Sequence, residues 1–141
     1  MKEKILCSAC LLGTDCRYDG KNNRNEEVIK ILYNADLIPV CPEQLGGLPT
    51  PRIPAEIKGT SVITNSRTDV TDNFIKGAEQ ALQLALLYKC KKAILKQRSP
   101  SCGCGQIYDG TFSGKVITGD GITTKLLKEN GIVVITEEDL D

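Results

Sequence analysis

The chain has 141 residues, a length that favours one domain spanning residues 1–141 with its own hydrophobic core, and that excludes a multidomain machine. Hydrophobic residues make up 40% of the chain and charged residues 26%, which excludes a disordered or fibrous protein. The 18 basic and 18 acidic side chains give a formal net charge of zero, so no overall field favours DNA, RNA or an anionic membrane as a partner.

No apolar run in the sequence approaches the roughly 18 to 20 residues that a bilayer-spanning helix needs. The first four residues, Met1 to Lys4, lead into no hydrophobic signal region. We therefore expect a cytoplasmic protein that has no membrane partner.

The first part of the chain predicts a β-α-β unit. Residues 5–10 form a short, continuous apolar run, which is typical of a strand buried on both faces. Residues 23–26 have the pattern of a helix N-cap followed by an acidic residue, and the helix is expected to run to about Tyr33. A second buried strand is expected over residues 37–41, before Pro42.

The rest of the chain continues this alternation. The segment from Gly46 to Ser66 is expected to be an irregular loop with a short strand near residues 61–64. An acidic start at residues 69–72 precedes the clearest helix, whose apolar residues recur at helical spacing: Phe74, Ile75, Ala78, Leu82, Ala85 and Leu86.

A third strand is predicted over residues 92–96, and Asp109-Gly110 is expected to form a turn. Residues 121–130 predict a last helix and residues 132–135 a last strand. The alternation of strands and helices favours an α/β fold with three layers, in which helices cover both faces of a mainly parallel sheet, as in Rossmann-like and flavodoxin-like proteins.

The sequence has no histidine and seven cysteines. Without histidine, Ser-His-Asp and Cys-His nucleophile pairs and every His-ligated zinc or iron site are excluded. In a reduced, intracellular protein a cluster of cysteines is more often metal-binding or catalytic than part of a disulfide framework.

Three of the cysteines are expected at the same edge of the sheet. Cys10 ends the first predicted strand, Cys41 ends the second, and Cys102 lies in the loop after the third. Ligands of open parallel sheets bind outside the carboxyl ends of the strands, so these three thiols are candidate metal ligands. The alternative is that each behaves as a small buried hydrophobic residue.

The other four cysteines are interpreted differently. Cys7 lies within the first strand and Cys90 follows the long helix, and both are expected to be structural. Cys16 and Cys104 lie in loops near the predicted site; Cys16, the stronger candidate, is a possible fourth ligand or a residue supporting the ligands. Thiolates without histidine suit zinc, copper(I) or an iron–sulfur cluster, and three thiolates leave one iron of a four-iron cluster free for substrate.

Polar residues accompany the three thiols. Glu43 lies two residues after Cys41, and Ser101 directly precedes Cys102, so a carboxylate and a hydroxyl are expected near the sulfurs. The carboxylate is a candidate general acid or base, against the alternative of a solvated side chain. Basic residues that could bind an anionic or carbonyl group of a substrate are Arg17, Arg52 and Lys96.

Several segments in this order and spacing resemble the bacterial thiouracil desulfurase family, over nearly the whole chain. They are Ser8-Ala9-Cys10-Leu11-Leu12-Gly13, Cys16-Arg17-Tyr18-Asp19-Gly20, Cys41-Pro42-Glu43, Gly46-Gly47-Leu48-Pro49-Thr50-Pro51-Arg52, Asp69-Val70-Thr71, Leu95-Lys96, Ser99-Pro100-Ser101-Cys102-Gly103 and Tyr108-Asp109-Gly110-Thr111-Phe112. No single segment is as specific as the whole set.

The resemblance implies an oxygen-sensitive [4Fe-4S] enzyme that replaces the sulfur of a thiolated pyrimidine, as a base or nucleoside, by oxygen, converting thiouracil to uracil and sulfide without net redox change. It implies that Cys10, Cys41 and Cys102 hold the cluster, which is lost in aerobic preparations. It further implies that the open iron binds the substrate sulfur, that Glu43 transfers protons, and that Ser101 orients the substrate or donates a hydrogen bond to it.

Two hypotheses from other classes remain open at this point. One is a thiol redox protein that uses Cys7 and Cys10 of the Cys7-Ser8-Ala9-Cys10 segment, although such pairs normally open a helix. The other is a non-catalytic zinc-binding module, in which four thiols close a tetrahedral site: Cys10, Cys16, Cys41 and Cys102.

Overall fold

The computed structural model describes residues 2–140, and at its centre lies a four-stranded parallel sheet. Its strands are β1 (Glu3–Ser8), β2 (Ala35–Val40), β5 (Lys92–Leu95) and β8 (Val133–Thr136), in the order β2-β1-β5-β8. All three neighbouring pairs run parallel. The predicted α/β fold class is therefore confirmed.

Helices cover both faces of this sheet. Helix α1 (Glu26–Lys30), extended by a 3-10 turn over Ile31–Tyr33, packs on one face, and α3 (Thr71–Leu87) and α4 (Ile122–Glu129) pack on the other. Since β1 has a strand on each side and a helical layer on each face, Ile5 to Ser8 are all buried. This explains the continuous apolar run in that part of the sequence.

The helix predictions are right in position and differ in detail. The cap of α1 is Asn25, not Asn23, because the Asn25 side chain accepts the backbone N–H groups of Glu27 and Val28. The buried stripe of α3 is narrower than the predicted one: Ile75 and Leu86 are 43% and 57% exposed. Small residues form much of the stripe because α3 packs closely against α2 (Pro42–Leu45) and α4.

Two antiparallel hairpins lie outside the main sheet. The strands β3 (Ala55–Lys58) and β4 (Ser61–Thr64) form one, and β6 (Gln106–Tyr108) and β7 (Val116–Thr118) form the other. The predicted strand at 61–64 is confirmed, but β3 lies in the segment expected to be irregular. A further difference is that residues 109–115 form a long loop between β6 and β7 instead of a tight turn at Asp109-Gly110. No helix within residues 2–140 is both long enough and apolar enough to cross a membrane.

Candidate active site

The loops after β1, β2 and β5 meet at a cavity of about 590 Å³. Cys10 lies in a 3-10 turn (Ala9–Leu12) that begins where β1 ends, two residues earlier than the predicted strand end. Cys41 lies between β2 and α2, and Cys102 lies in the loop that follows β5. All three line the cavity, so the structure brings together the thiols that the strand ends were expected to deliver.

Cys16 lies between two of these thiols and is itself only 2% exposed. Its carbonyl oxygen lies 3.8 Å from Cys41 Sγ, and its thiol, as a hydrogen-bond donor, lowers the pKa of both Cys10 and Cys41. The pKa of Cys41 falls to about 6, whereas the pKa of Cys16 is raised because its proton is shared with these neighbours. The site therefore favours thiolates at Cys10 and Cys41 and a protonated thiol at Cys16.

A second donor reaches Cys10 from the loop before α1. The Nδ2 amide of Asn23 donates to Cys10 Sγ at 3.4 Å. Hydrogen bonds to ligand sulfurs are one of the means by which proteins tune an iron–sulfur centre. Nothing in the sequence pattern marked Asn23 for this role, because its contact with Cys10 depends on how the loop folds back.

Cys102 lies in a more buried part of the site. Burial raises the pKa of its thiol to about 12, with the Ser8 hydroxyl acting in the opposite direction. The loop is fixed by Ser99, whose Oγ accepts the backbone N–H groups of Ser101 and Cys102, each at 3.1 Å. The first turn of α4 adds a bond from Thr124 Oγ1 to the carbonyl oxygen of Cys102, at 2.7 Å.

Ser101 does not take the position that the sequence interpretation gave it. Its side chain is outside the cavity lining, the residue is 1% exposed, and its Oγ pairs with Thr123 Oγ1 at 2.8 Å. A serine next to Cys102 can turn to either side of the loop, and here it is directed to the N-terminus of α4. In this arrangement Ser101 holds the Cys102 loop to α4.

Glu43 lines the cavity two residues after Cys41, in the first turn of α2, and is held by Arg52. Arg52 Nε donates to Glu43 Oε1 at 2.9 Å, and the two side chains are 6% and 18% exposed. The rest of the guanidinium is also engaged: Nη1 donates to the carbonyl oxygen of Pro49 and to Thr50 Oγ1, and Nη2 donates to the carbonyl oxygen of Cys16. Arg52 therefore orients Glu43, and its contacts leave little capacity for binding a substrate directly.

The other two predicted basic residues also line the cavity with partners of their own. Arg17 pairs with Asp19 and donates Nη1–H to Asn23 Oδ1, and Asp19 raises the pKa of Arg17. Lys96 Nζ lies 3.0 Å from Glu137 Oε2. These cations are close to the site, but each is neutralised by a carboxylate.

Sequence reasoning missed most of the outer wall of the cavity. The wall includes Tyr18, Glu56, Tyr108 and Phe112, contributed by the loop after β1 and by the two hairpins. The Tyr108–Phe112 segment was part of the family resemblance but was not assigned to the site. A lone acidic residue such as Glu56, in a segment expected to be a loop, carries no signal of its own.

The remaining cysteines lie outside the cavity lining. Cys7 is fully buried in β1 with a pKa raised to about 12 by burial, Cys90 is buried in the core beside α3, and Cys104 Sγ lies 3.7 Å from the carbonyl oxygen of Val134. Within residues 2–140, no three Cys, His, Asp or Glu side chains are arranged to hold a single metal ion.

Comparison with known proteins identifies the family of this chain. The sequence model of the 2-thiouracil desulfurase family matches residues 5–139. The chain belongs to this family. The resemblance noted from the sequence segments is thus confirmed, and with it the expectation of an enzyme.

Two similar proteins cover almost the whole chain. The uncharacterized protein YbbK of Bacillus subtilis strain 168 is 44% identical over 147 aligned residues, which span 97% of each chain. A solved structure described as the [4Fe-4S]-dependent thiouracil desulfidase TudS is 48% identical, with a TM-score of 0.93, over 99% of this chain and 93% of its own. The cluster expected from the family resemblance is therefore the cofactor named for this neighbour.

Proposed function

We propose that this desulfurase uses a [4Fe-4S] cluster, held by Cys10, Cys41 and Cys102, to replace the thiocarbonyl sulfur of a thiopyrimidine by oxygen. The observation that carries the proposal is the meeting of these three thiols with Glu43 in one cavity. The family match and the cofactor named for the TudS structure support the same chemistry. Seven unpaired cysteines within the described residues suit a reducing cytoplasm.

The donor set fits an iron–sulfur cluster. Each cysteine of such a cluster binds a different iron, so its sulfurs are farther apart than the ligands of one ion, and cysteine thiolate is the usual ligand. The contacts that favour thiolates at Cys10 and Cys41 prepare two of the three ligands. When the cluster is bound, the iron without a cysteine ligand supplies a Lewis acid for the substrate sulfur.

Glu43 is placed to move protons during the exchange. Arg52 occupies its Oε1, and within residues 2–140 no hydrogen-bond donor contacts Oε2. In the proposed reaction Oε2 takes a proton from the attacking water and passes it to the ring nitrogen or to the departing sulfur. Water oxygen enters at the carbon, sulfide leaves, and no electrons are gained or lost.

The charges around the cavity favour a neutral substrate. Four cations line it, and each has a carboxylate partner in an ion pair: Arg17 with Asp19, Arg52 with Glu43, Lys96 with Glu137, and Arg98 with Glu138. An anionic group such as a phosphate would have to displace one of these carboxylates. We therefore propose a free thiolated base or an unphosphorylated nucleoside as substrate.

The experiment that tests this function is anaerobic reconstitution followed by an assay with 4-thiouracil. We expect about four iron and four sulfide per chain, and conversion to uracil with release of one sulfide per turnover. One zinc per chain, with neither iron nor sulfide bound, would support the zinc-module hypothesis instead. Insulin reduction that is lost in Cys7→Ser would support the thiol redox hypothesis, which the burial of Cys7 in β1 disfavours.

A further inference from the structure

The cavity has two chemically different walls. The inner wall carries thiols and a carboxylate, whereas the outer wall is rich in aromatic rings. The chain has four tyrosines, two phenylalanines and no tryptophan, and three of these six side chains line the cavity: Tyr18, Tyr108 and Phe112. Thiols and aromatic rings therefore line one and the same cavity.

Phe112 has an unusual backbone conformation in this wall. Its φ is +58°, in the left-handed region that bulky side chains rarely adopt. Conformations of this kind persist only where surrounding contacts impose them, and they occur most often at functional sites. Since Phe112 is the only residue of the 109–115 loop besides Gly114 to line the cavity, the strained position coincides with the place where the loop meets the site.

Glu56 imposes this conformation from the other hairpin. Its Oε1 accepts the backbone N–H groups of Gly110, at 3.0 Å, and Phe112, at 3.1 Å. The loop is also packed tightly against β3, since a Cβ at Gly110 would lie 2.9 Å from the carbonyl oxygen of Ile57. One carboxylate and one close backbone contact thus fix the backbone from which the Phe112 side chain extends.

We propose that Phe112 is a specificity-determining residue on which the pyrimidine ring of the substrate stacks, and that Glu56 is the positioning residue that holds Phe112 in place. The proposal rests on the function proposed above. A phenyl ring offers no hydrogen bond, so it recognises a flat aromatic ring and is indifferent to its substituents. Planar thiopyrimidines should therefore be favoured over acyclic thioamides of the same size.

The first test compares Phe112→Ala, Phe112→Tyr and the unaltered enzyme. Loss of one base–aromatic stacking contact corresponds to roughly a tenfold to hundredfold loss of affinity. We expect Phe112→Ala to raise the KM for 4-thiouracil by about this factor, and to raise the inhibition constant of the product uracil in parallel, with little change in kcat. Uracil has no sulfur, so its inhibition constant reports on contacts to the rest of the pyrimidine. Phe112→Tyr should retain both values.

Two further sets of variants control for other effects. Tyr33→Ala removes an aromatic ring that is 83% exposed at the opposite end of the sheet, and it should change neither constant. Glu56→Ala should reproduce the KM increase of Phe112→Ala, and Glu56→Gln should restore it, since the amide oxygen can still accept both N–H groups. If Glu56 only stabilised the fold, Glu56→Ala would lower kcat as well as change KM, and Glu56→Gln would not restore the KM.

The outcomes separate this proposal from the proposed function. If the unaltered enzyme desulfurates 4-thiouracil and Phe112→Ala changes neither KM nor the uracil inhibition constant, the stacking role is wrong and the function stands. If the enzyme shows no desulfuration, but equilibrium dialysis detects uracil binding that Phe112→Ala abolishes, the function is wrong and the stacking role stands.

Discussion

Arg52 donates Nε–H to Glu43 Oε1 at 2.9 Å, and its Nη2 donates to the carbonyl oxygen of Cys16 at 2.8 Å. One guanidinium therefore holds both the carboxylate of the cavity and the segment that carries the Cys16 thiol. Because Arg52 is 6% exposed, these bonds form away from solvent, where fixed geometry is least disturbed by water.

Arg52→Lys tests this double role. Lysine keeps the positive charge but lacks the fork of donors that reaches Glu43 and Cys16 together. A catalytic group displaced by about 1 Å can lose about a hundredfold in rate, so we expect kcat to fall by roughly tenfold to a hundredfold while iron content is retained. Arg24→Lys, in an exposed pair with Glu26, is the matched control. Equal kcat values for the two variants would contradict the orienting role.

The ligand set is tested by replacing each cavity thiol in turn. Cys10→Ser, Cys41→Ser and Cys102→Ser are each expected to lose cluster and desulfuration together, because each removes one of three protein ligands. Cys90→Ala, in the core outside the cavity, should retain both. Iron and sulfide analysis after anaerobic reconstitution provides the measurement. Wild-type iron content and turnover in any of the three serine variants would rule out that ligand.

Cys16 is expected to support the ligands without being one of them. Its thiol remains protonated between Cys10 and Cys41, and a serine hydroxyl can donate in the same place. Cys16→Ser should therefore keep about four iron per chain, whereas Cys16→Ala, which lacks a donor, should reconstitute more slowly. A loss of iron in Cys16→Ser as complete as in Cys41→Ser would instead show that Cys16 is a fourth ligand.

Thiol reactivity in the cluster-free protein should depend on pH in a residue-specific way. With a pKa of about 6, the Cys41 thiol is about nine-tenths thiolate at pH 7 and about one-tenth at pH 5, and the thiolate is the reactive form. Cys102, with a pKa of about 12, stays protonated at both. Iodoacetamide labelling followed by peptide mass analysis should modify Cys41 ahead of Cys102 at pH 7, and Cys41 much more slowly at pH 5. Preferential labelling of Cys102 at pH 7 would contradict the assigned protonation states.

The sequence was sufficient to predict the parallel sheet and the three thiols at one edge of it. It was not sufficient to predict which residues form the outer wall of the cavity. Buried parallel strands are short apolar runs, and the topology of such a sheet brings Cys10, Cys41 and Cys102 to one edge. The contact between Arg52 and Glu43 and the bonds from Glu56 to the 109–115 loop depend on loop conformation. Ser101 shows the same limit, since its direction was decided by the docking of α4 on the Cys102 loop.

The segment that carries Cys41 and Glu43 packs against α3, and this packing depends on a glycine within α3. A Cβ added at Gly77 would lie 1.9 Å from the carbonyl oxygen of Pro42, the residue between Cys41 and Glu43, so no side chain fits without moving α2. This explains a glycine in a helix interior, where it otherwise costs about 1 kcal/mol relative to alanine.

We expect Gly77→Ala to lower the free energy of unfolding by about 1 to 3 kcal/mol, as overpacking does, and to reduce iron content by displacing Cys41. Urea unfolding and iron analysis measure the two effects, with exposed Glu79→Ala on the same helix as the control. Unchanged stability and iron content in Gly77→Ala would show that α2 moves freely, and that the position of Glu43 does not depend on this contact.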